Sequence, residues 1–241
     1  MRGLARVLSK MGVASRTEAT ELVASGRVSV NGRVTRDPGA AIDQGSDQIE
    51  LDGRPVTGAA PVYLAMHKPA GVLTTAHDPE GRPTVYGLLP RGIPSWIFPV
   101  GRLDGPTSGL LLFTNDSVAG QALTDPDVGV PKTYEVKLKG ELTQADVEAL
   151  QKGVRLEDGT LTRPAQCRTM PSKEGTTWIE LTIREGKNRQ VRRMGRAIGH
   201  KVVRLTRTRV GPVELGGLEV GKCRMLTAAE VRAIRALARG K

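Results

Sequence analysis

One carboxylate stands in an unusual setting. Asp104 ends the string Gly101-Arg102-Leu103-Asp104, in a turn that follows Phe98-Pro99-Val100 and precedes the apolar run from Leu110 to Phe113. An aspartate in a turn is ordinarily structural, because its side chain can cap nearby backbone amides. A carboxylate held beside an apolar strand can also serve as a nucleophile or a general base. Taken alone, Asp104 fits either role.

A basic segment is the second candidate. The string Arg184-Glu185-Gly186-Lys187-Asn188-Arg189-Gln190-Val191-Arg192-Arg193-Met194 places five cations around a glycine turn at the start of a predicted helix. Such a helix can bind phosphate groups with no part in catalysis. It can also supply a cation to a buried carboxylate, because desolvation otherwise raises the carboxylate pKa. The segment therefore fits a nucleic-acid surface or an active site.

Several common catalytic motifs are absent from the sequence. There is no GxxxxGK[ST] loop for phosphates, no strand-GxGxxG-helix for a dinucleotide and no GxSxG nucleophile elbow. The histidines lack metal-ligand spacing and the cysteines form no CxxC. We therefore expect no cofactor, no metal and no disulfide. The residues concerned are His67, His77, His200, Cys167 and Cys223.

The charge balance indicates the kind of partner. The 241 residues include 36 Lys and Arg against 25 Asp and Glu, a formal net charge of +11, which favours phosphate-bearing polymers. A membrane surface would attract the same charge. With only 3% aromatic residues, a row of rings that stacks on single-stranded bases is disfavoured. The sequence has no long apolar run and begins with an amphipathic pattern, so we expect a cytoplasmic protein without a transmembrane helix or a cleaved signal peptide.

The beginning of the chain predicts two helices and a hairpin. Apolar residues recur at helical spacing over residues 4–11, Ser15 and Glu18 form a capping box, and Asn31-Gly32 marks a turn between two strands. Cations are dense here, which in most proteins is simply a solvated surface. The string from Leu8 to Val34, however, resembles the S4 RNA-binding module. That resemblance implies phosphate contacts at Arg16, Arg27 and Arg33.

Composition predicts two domains. Residues 51–61, LDGRPVTGAAP, have the Gly, Pro and small residues of a linker, so residues 1–50 form the S4-like RNA-binding domain and residues 62–241 the second domain. Strand-like and helical stretches of the second domain do not alternate regularly, which favours an α+β fold with a mixed, mainly antiparallel sheet and flanking helices. The predicted strands are 62–66, 109–114, 133–138 and 178–183, and the predicted helices are 143–150, 188–198 and one after Thr227.

Four signatures follow one another along the chain: the S4-like start, GRLD with TSGLLL, Lys132-Thr133-Tyr134, and EGKNRQVRRM. In this order and spacing they closely resemble the RsuA/RluB/RluE/RluF branch of the pseudouridine synthases. The resemblance implies an enzyme that breaks the N1–C1′ bond of a uridine, turns the base and rejoins it through C5. This isomerisation needs no cofactor or metal. The alternative is a non-catalytic RNA-binding ribosome-assembly factor, against which the intact signatures argue.

The resemblance also implies roles for individual residues. Asp104 is the catalytic carboxylate, acting on C1′ or as a base toward the sugar, and Arg192 is the cation that keeps it ionised. Tyr134 stacks on the target base and can aid proton transfer at C5. Arg102 supports the base stack that the flipped nucleotide leaves. The substrate-binding candidates are Arg102, Leu181, Lys187, Arg189 and Lys68.

Two of these candidates have a further interpretation. Leu181 is our choice for the apolar wall of the uracil, and Lys68, in a KPxG-like turn, is structural or phosphate-binding. Gly105-Pro106 after the aspartate departs from the expected pattern, and the proline stiffens the loop that fits the substrate.

The opening LxKxGVASR resembles the members directed to the large subunit. We therefore favour 23S rRNA near the peptidyl-transferase region over 16S rRNA, free or in a pre-ribosomal particle, and a monomeric enzyme.

Overall fold

Two compact units make up the protein. A computed structural model describes residues 1–93, 95–172 and 175–239. Residues 1–63, 90–98 and 113–117 form the first unit, and residues 64–89, 99–112 and 118–241 form the second. Both units contain strands and helices, and the predicted α+β class is confirmed.

The first unit begins as its sequence pattern predicts. Ser15 and Glu18 form the expected capping box, and Asn31 and Gly32 both have positive φ, 52° and 75°, as a two-residue hairpin turn of type I′ requires. The helices are α1 (Leu4–Lys10) and α2 (Arg16–Ala24). The strands are β1 (Arg2–Gly3), β2 (Val28–Val30), β3 (Arg33–Val34), β4 (Ala41–Ile42), β5 (Ile49–Leu51) and β6 (Arg54–Pro55).

These strands form two small sheets. Strands β1 and β4 pair with each other, and the other four lie in the order β3-β2-β5-β6, all antiparallel. Leu4 and Leu8 of α1 are fully buried together with Val23 of α2 and Val28 of β2, which fixes both helices on the sheet. Because β6 pairs with β5, part of the predicted linker 51–61 belongs to this sheet.

The rest of the described chain contains the larger sheet. Its helices are α3 (Ser117–Thr124), α4 (Gln144–Lys152), α5 (Gln190–Ala197) and α6 (Ala228–Arg239), and a 3-10 turn covers Val85–Leu88. Its strands are β7 (Tyr63–Lys68), β8 (Phe98–Pro99), β9 (Ser108–Thr114), β10 (Lys132–Lys139), β11 (Gln166–Met170), β12 (Thr176–Ile183), β13 (Val202–Val210), β14 (Val213–Glu214) and β15 (Cys223–Met225). Each predicted strand and helix has its counterpart here, but helix α3 and strands β8, β11, β13, β14 and β15 were not predicted.

Strand β13 is central to this sheet. The strand order is β11-β12-β10-β13-β9-β7-β15, with β14 on β13 and β8 on β9. The β13–β9 pair is parallel, whereas β11–β12, β12–β10, β10–β13 and β7–β15 are antiparallel. Helices α4 and α5 cover one face with Leu150 and Met194. Every second side chain of β10 points to this covered face, so Lys132 and Tyr134 lie on the same face as the core residues Val136 and Leu138.

A helix that crosses a bilayer must be both long and apolar. Within residues 1–93, 95–172 and 175–239, no helix is long and apolar enough to cross a membrane.

Candidate active site

A cleft of about 500 Å³ opens in the second unit, and its size suits a nucleoside. The floor is the face of the sheet that carries Tyr134, and the rim is formed by the turn around Asp104 and the basic segment before α5. The structure thus brings together residues that lie far apart in sequence. Of the predicted site residues, those that line the cleft are Arg102, Asp104, Tyr134, Lys187 and Arg189.

Asp104 lies at the start of a tight turn. The backbone N–H of Thr107 donates to the carbonyl of Asp104 at 2.9 Å, which closes the turn over Gly105 and Pro106. Thr74 holds the preceding residue: its hydroxyl donates to the carbonyl of Leu103 at 2.8 Å. The Asp104 side chain is 27% exposed, so the carboxylate can reach a ligand in the cleft.

Lys68 supports this turn from below. Its side chain is completely buried, and Nζ donates to the carbonyls of Pro69, Gly105 and Thr107 at 2.9, 3.3 and 2.8 Å. Burial lowers the pKa of Lys68 to about 8, while the nearby Asp104 opposes that shift. A fully buried ammonium with three protein acceptors has no donor left for RNA. The prediction that Lys68 binds substrate is therefore corrected: Lys68 holds the Asp104 turn.

The predicted pair between Asp104 and Arg192 is not a direct contact. Arg189 lies within ion-pair distance instead, with Nη1 3.8 Å from Oδ2 of Asp104. Arg192 reaches the same turn from behind, where Nη2 donates to the carbonyl of Pro106 at 3.1 Å and Nη1 to that of Val202 at 3.3 Å. Burial and the nearby Arg189 lower the pKa of Arg192, and Asp104 raises it. Two guanidinium groups therefore act on one carboxylate, one by contact and one at longer range.

Arg189 owes its position to an unusual backbone conformation. It is the N-cap of α5 and has φ 49° and ψ 31°, the left-handed region that residues other than glycine and asparagine seldom adopt. A buried network holds the loop: Gln190 donates to Glu185, and the N–H groups of Lys187 and Arg163 donate to Gln190 and Glu185. These contacts offset the strain and turn Arg189 toward Asp104.

The two remaining basic candidates on the rim, Arg102 and Lys187, differ in how many protein contacts their side chains already make. Arg102 is exposed at the edge of the cleft. Lys187 also lines the cleft, but Nζ already donates to the carbonyl of Leu161 at 3.1 Å and lies 3.3 Å from the carboxylate of Glu185. Arg102 is thus the more available of the two for a phosphate group.

Tyr134 and its neighbours form the floor. Tyr134 is 8% exposed and pairs with Leu181 of β12 and with Arg207 of β13. Leu181 is 1% exposed and is not among the residues that line the cleft, so the prediction that it walls the uracil is corrected. The apolar residue of β12 that lines the cleft is Ile183, two residues further along on the same face of the strand.

Three polar residues of the floor were assigned no role from the sequence. Lys132 belongs to the Lys-Thr-Tyr signature and Thr107 to the TSGLLL signature, whereas Arg207 lies outside all four signatures. Arg207 is buried, and its neighbours Arg204 and Arg209 are exposed. Nothing local in the string Arg204-Leu205-Thr206-Arg207-Thr208-Arg209 distinguishes the arginine that enters the cleft. Only the pairing of β13 with β9 and β10 does so.

The S4-like arginines lie in the first unit and are described with it. Arg16 and Arg33 are exposed. Arg27 is engaged with Asp52, to which Nε donates at 2.9 Å, and this contact raises the pKa of Arg27. In the parts of the chain that the structure describes, no group of three or more His, Cys, Asp or Glu side chains could hold a metal ion.

Comparison with known families agrees with this architecture. The model of the RNA pseudouridylate synthases matches residues 62–197, and the model of the S4 domain matches residues 2–49. The matched range of the first model contains both Asp104 and Tyr134. The chain belongs to the RNA pseudouridylate synthase family, with an S4 domain ahead of the catalytic region.

Individual relatives are similar over nearly the whole chain. Ribosomal large subunit pseudouridine synthase B of Bacillus subtilis (strain 168) is 45% identical over 240 residues, which cover 99% of this chain and 97% of the relative. The protein of the same name from Yersinia pestis is 39% identical over 88% of this chain and 68% of its own length. A crystal structure of a pseudouridylate synthase superimposes with a TM-score of 0.70 at 29% identity, covering 97% of this chain and 100% of that one.

Proposed function

We propose that this enzyme converts one uridine of large-subunit (23S) ribosomal RNA to pseudouridine. The observation that carries the proposal is the meeting of Asp104, Arg189 and Tyr134 in one nucleoside-sized cleft. The large subunit is favoured over the small one because both cited relatives are named for it.

In this mechanism, Asp104 attacks C1′ of the ribose or removes a proton from the sugar, and Tyr134 stacks on the uracil. A target inside a stacked RNA is out of reach of Asp104, so the nucleotide must be flipped into the cleft. Arg102, exposed on the rim, fills or supports the vacated stack. Arg189 by contact and Arg192 at longer range place positive charge beside the carboxylate of Asp104.

The S4 domain is proposed to hold the structured RNA. We assign residues 1–50 to RNA binding and residues 62–241 to catalysis, joined by residues 51–61, and the limits of the matched families support that division. Arg16, Arg27 and Arg33 are the proposed phosphate contacts of this domain, and Arg27 also donates to Asp52. We further propose that the enzyme acts as a monomer in the cytoplasm, where bacteria make ribosomal RNA, either on free RNA or on a pre-ribosomal particle.

Mapping of the modified position tests this function. Ribosomal RNA from a strain that lacks the gene is treated with carbodiimide and copied by reverse transcriptase, which stops at pseudouridine. We expect one stop in 23S rRNA to disappear and to return when the purified enzyme is added without metal or nucleotide. A full set of stops in the deletion strain would refute the proposal, and a lost stop in 16S rRNA would refute the choice of subunit.

The double variant Arg16→Gln/Arg33→Gln is expected to weaken RNA binding and to flatten its salt dependence. Each lost phosphate contact reduces the slope of log K against log salt concentration by roughly 0.7–0.9, because fewer counterions are released. Binding is measured by filter retention between low and moderate salt. Arg232→Gln, which removes an exposed cation from α6, is the control and should leave the slope unchanged. Equal slopes for the double variant and the control would remove both arginines from the interface.

A further inference from the structure

The floor of the cleft holds a guanidinium that the proposed mechanism does not use. Arg207 is 4% exposed, and its Nε donates to the carbonyl of Leu110 at 2.8 Å. Its Nη2 is also buried, yet among the described residues it has no hydrogen-bond acceptor. A buried donor without an acceptor is energetically unfavourable. A group that enters the cleft could provide the missing acceptor.

The position of Arg207 indicates which part of a nucleotide it meets. Arg207 is directly opposite Tyr134 across the β10–β13 pair, and opposed residues of neighbouring strands point to the same face. It therefore lies beside the ring on which the base is proposed to stack. The parallel partner on its other side is Gly109, which has no side chain to cover it.

Two further polar groups share this floor. Lys132 lies two residues before Tyr134 on the same face, and its Nζ donates to the carbonyl of Val130 at 3.3 Å. Lys132 and Arg207 both line the cleft, and burial together with the charge of Arg207 lowers the pKa of Lys132. The hydroxyl of Thr107 is buried and has no partner among the described residues. The carboxylate that lines the cleft, Asp104, is in contact with Arg189.

A phosphate group is a poor candidate for this floor. The phosphates of a flipped nucleotide remain on the RNA backbone at the mouth of the cleft, where the exposed cations Arg102 and Arg189 lie. The floor beside Tyr134 receives the base. Uracil offers two carbonyl oxygens there, and both gain negative charge if the base leaves as an anion.

We propose that Arg207 and Lys132 are catalytic residues that stabilise the detached uracil as an anion. This inference rests on the proposed function and adds the leaving group to it. When the N1–C1′ bond breaks, its electron pair departs with the base and spreads over N1 and the carbonyl oxygens. C1′ then bonds to a carboxylate oxygen of Asp104, or C2′ gives its proton to Asp104 and forms a double bond to C1′. Rejoining through C5 breaks the bond between C1′ and Asp104, or in the second route returns the proton from Asp104 to C2′, so the carboxylate is regenerated. C5 then loses its proton and N1 takes one up, which leaves a neutral base.

The test combines enzyme variants that lack a cation of the floor with an RNA whose target uracil is more acidic. Single-turnover loss of the starting nucleoside is measured on one ribosomal RNA fragment that carries either uridine or 5-fluorouridine at the mapped position. Fluorine withdraws electrons, so the departing base needs less help from a cation. We expect Lys132→Met to slow the reaction about 100-fold on uridine and about 10-fold on 5-fluorouridine, as for the loss of one charge-stabilising donor. RNA binding should be unchanged.

Matched variants separate this role from a structural one. Lys139→Met removes an exposed lysine from the same strand, and Arg204→Gln removes an exposed arginine from β13. Both should keep the rates of the unsubstituted enzyme on both RNAs. Arg207→Lys, which keeps the charge with fewer donors, should show a smaller loss than Lys132→Met and again less on 5-fluorouridine. Equal losses on the two RNAs, or losses no greater than those of the controls, would overturn the inference. Conversion by the unsubstituted enzyme reports on the proposed function separately.

Discussion

Replacing Asp104 by asparagine is expected to slow uridine conversion by at least about 10⁴-fold, the scale found when a reacting group is removed from an enzyme. Asparagine keeps the size of the side chain and can still occupy the turn, but it has neither the negative charge nor the basicity to act on the ribose. The turn is held by backbone contacts that do not involve the Asp104 side chain. The N–H of Thr107 donates to the backbone carbonyl of Asp104, and the ammonium of Lys68 donates to the carbonyls of Gly105 and Thr107. The fold should therefore survive.

Single-turnover conversion and RNA binding are measured on the same fragment. Binding should be retained, because loss of one negative charge from a basic cleft does not weaken its attraction for phosphates. Arg189→Gln is a useful companion. It removes the direct ion pair and leaves Arg192 in place, so we expect a smaller loss of rate than for Asp104→Asn. An Asp104→Asn enzyme with more than about one tenth of the normal rate would exclude the catalytic role.

Replacing Gly109 by alanine is expected to lower the free energy of unfolding by more than about 3 kcal/mol. Gly109 has φ +108°, which L side chains rarely adopt, and a Cβ there would overlap the backbone carbonyl oxygen of Arg207. Because that neighbour is backbone in the parallel β13–β9 pair, the clash can be relieved only if the two strands separate. Urea unfolding followed by circular dichroism measures the loss.

The control for this prediction is Gly217→Ala. An added Cβ at Gly217 meets no atom within 4 Å, and its backbone is outside the left-handed region. Its unfolding midpoint should match that of the unsubstituted protein. If Gly109→Ala also unfolded at the normal midpoint, the close approach of β9 and β13 that places Arg207 in the cleft would be contradicted.

Local elements of this protein could be predicted well from sequence. Patterns within a few residues predict the capping box at Ser15, the Asn31-Gly32 turn, the helix that follows Thr143 and strand β9 after the Asp104 turn. These patterns act locally because caps satisfy the first N–H groups of a helix and alternation places one strand face in the core. Strand β13 was not predicted because five of its nine residues are arginine or threonine, whereas a central strand is expected to be mostly apolar.

The sequence by itself determined the family, the order of the S4 and synthase matches and the grouping of Asp104 with Tyr134 in one predicted site, since each depends on residue types at fixed spacing. Which cation touches Asp104 was decided by the tertiary structure. Arg189 and Arg192 are three positions apart at the start of one helix, and the left-handed backbone at Arg189 directs that side chain to the carboxylate. Likewise, Lys68 and Arg207 reach their carbonyl partners across 37 to 97 residues of chain. Such contacts are set by strand register and burial, which no short stretch of sequence contains.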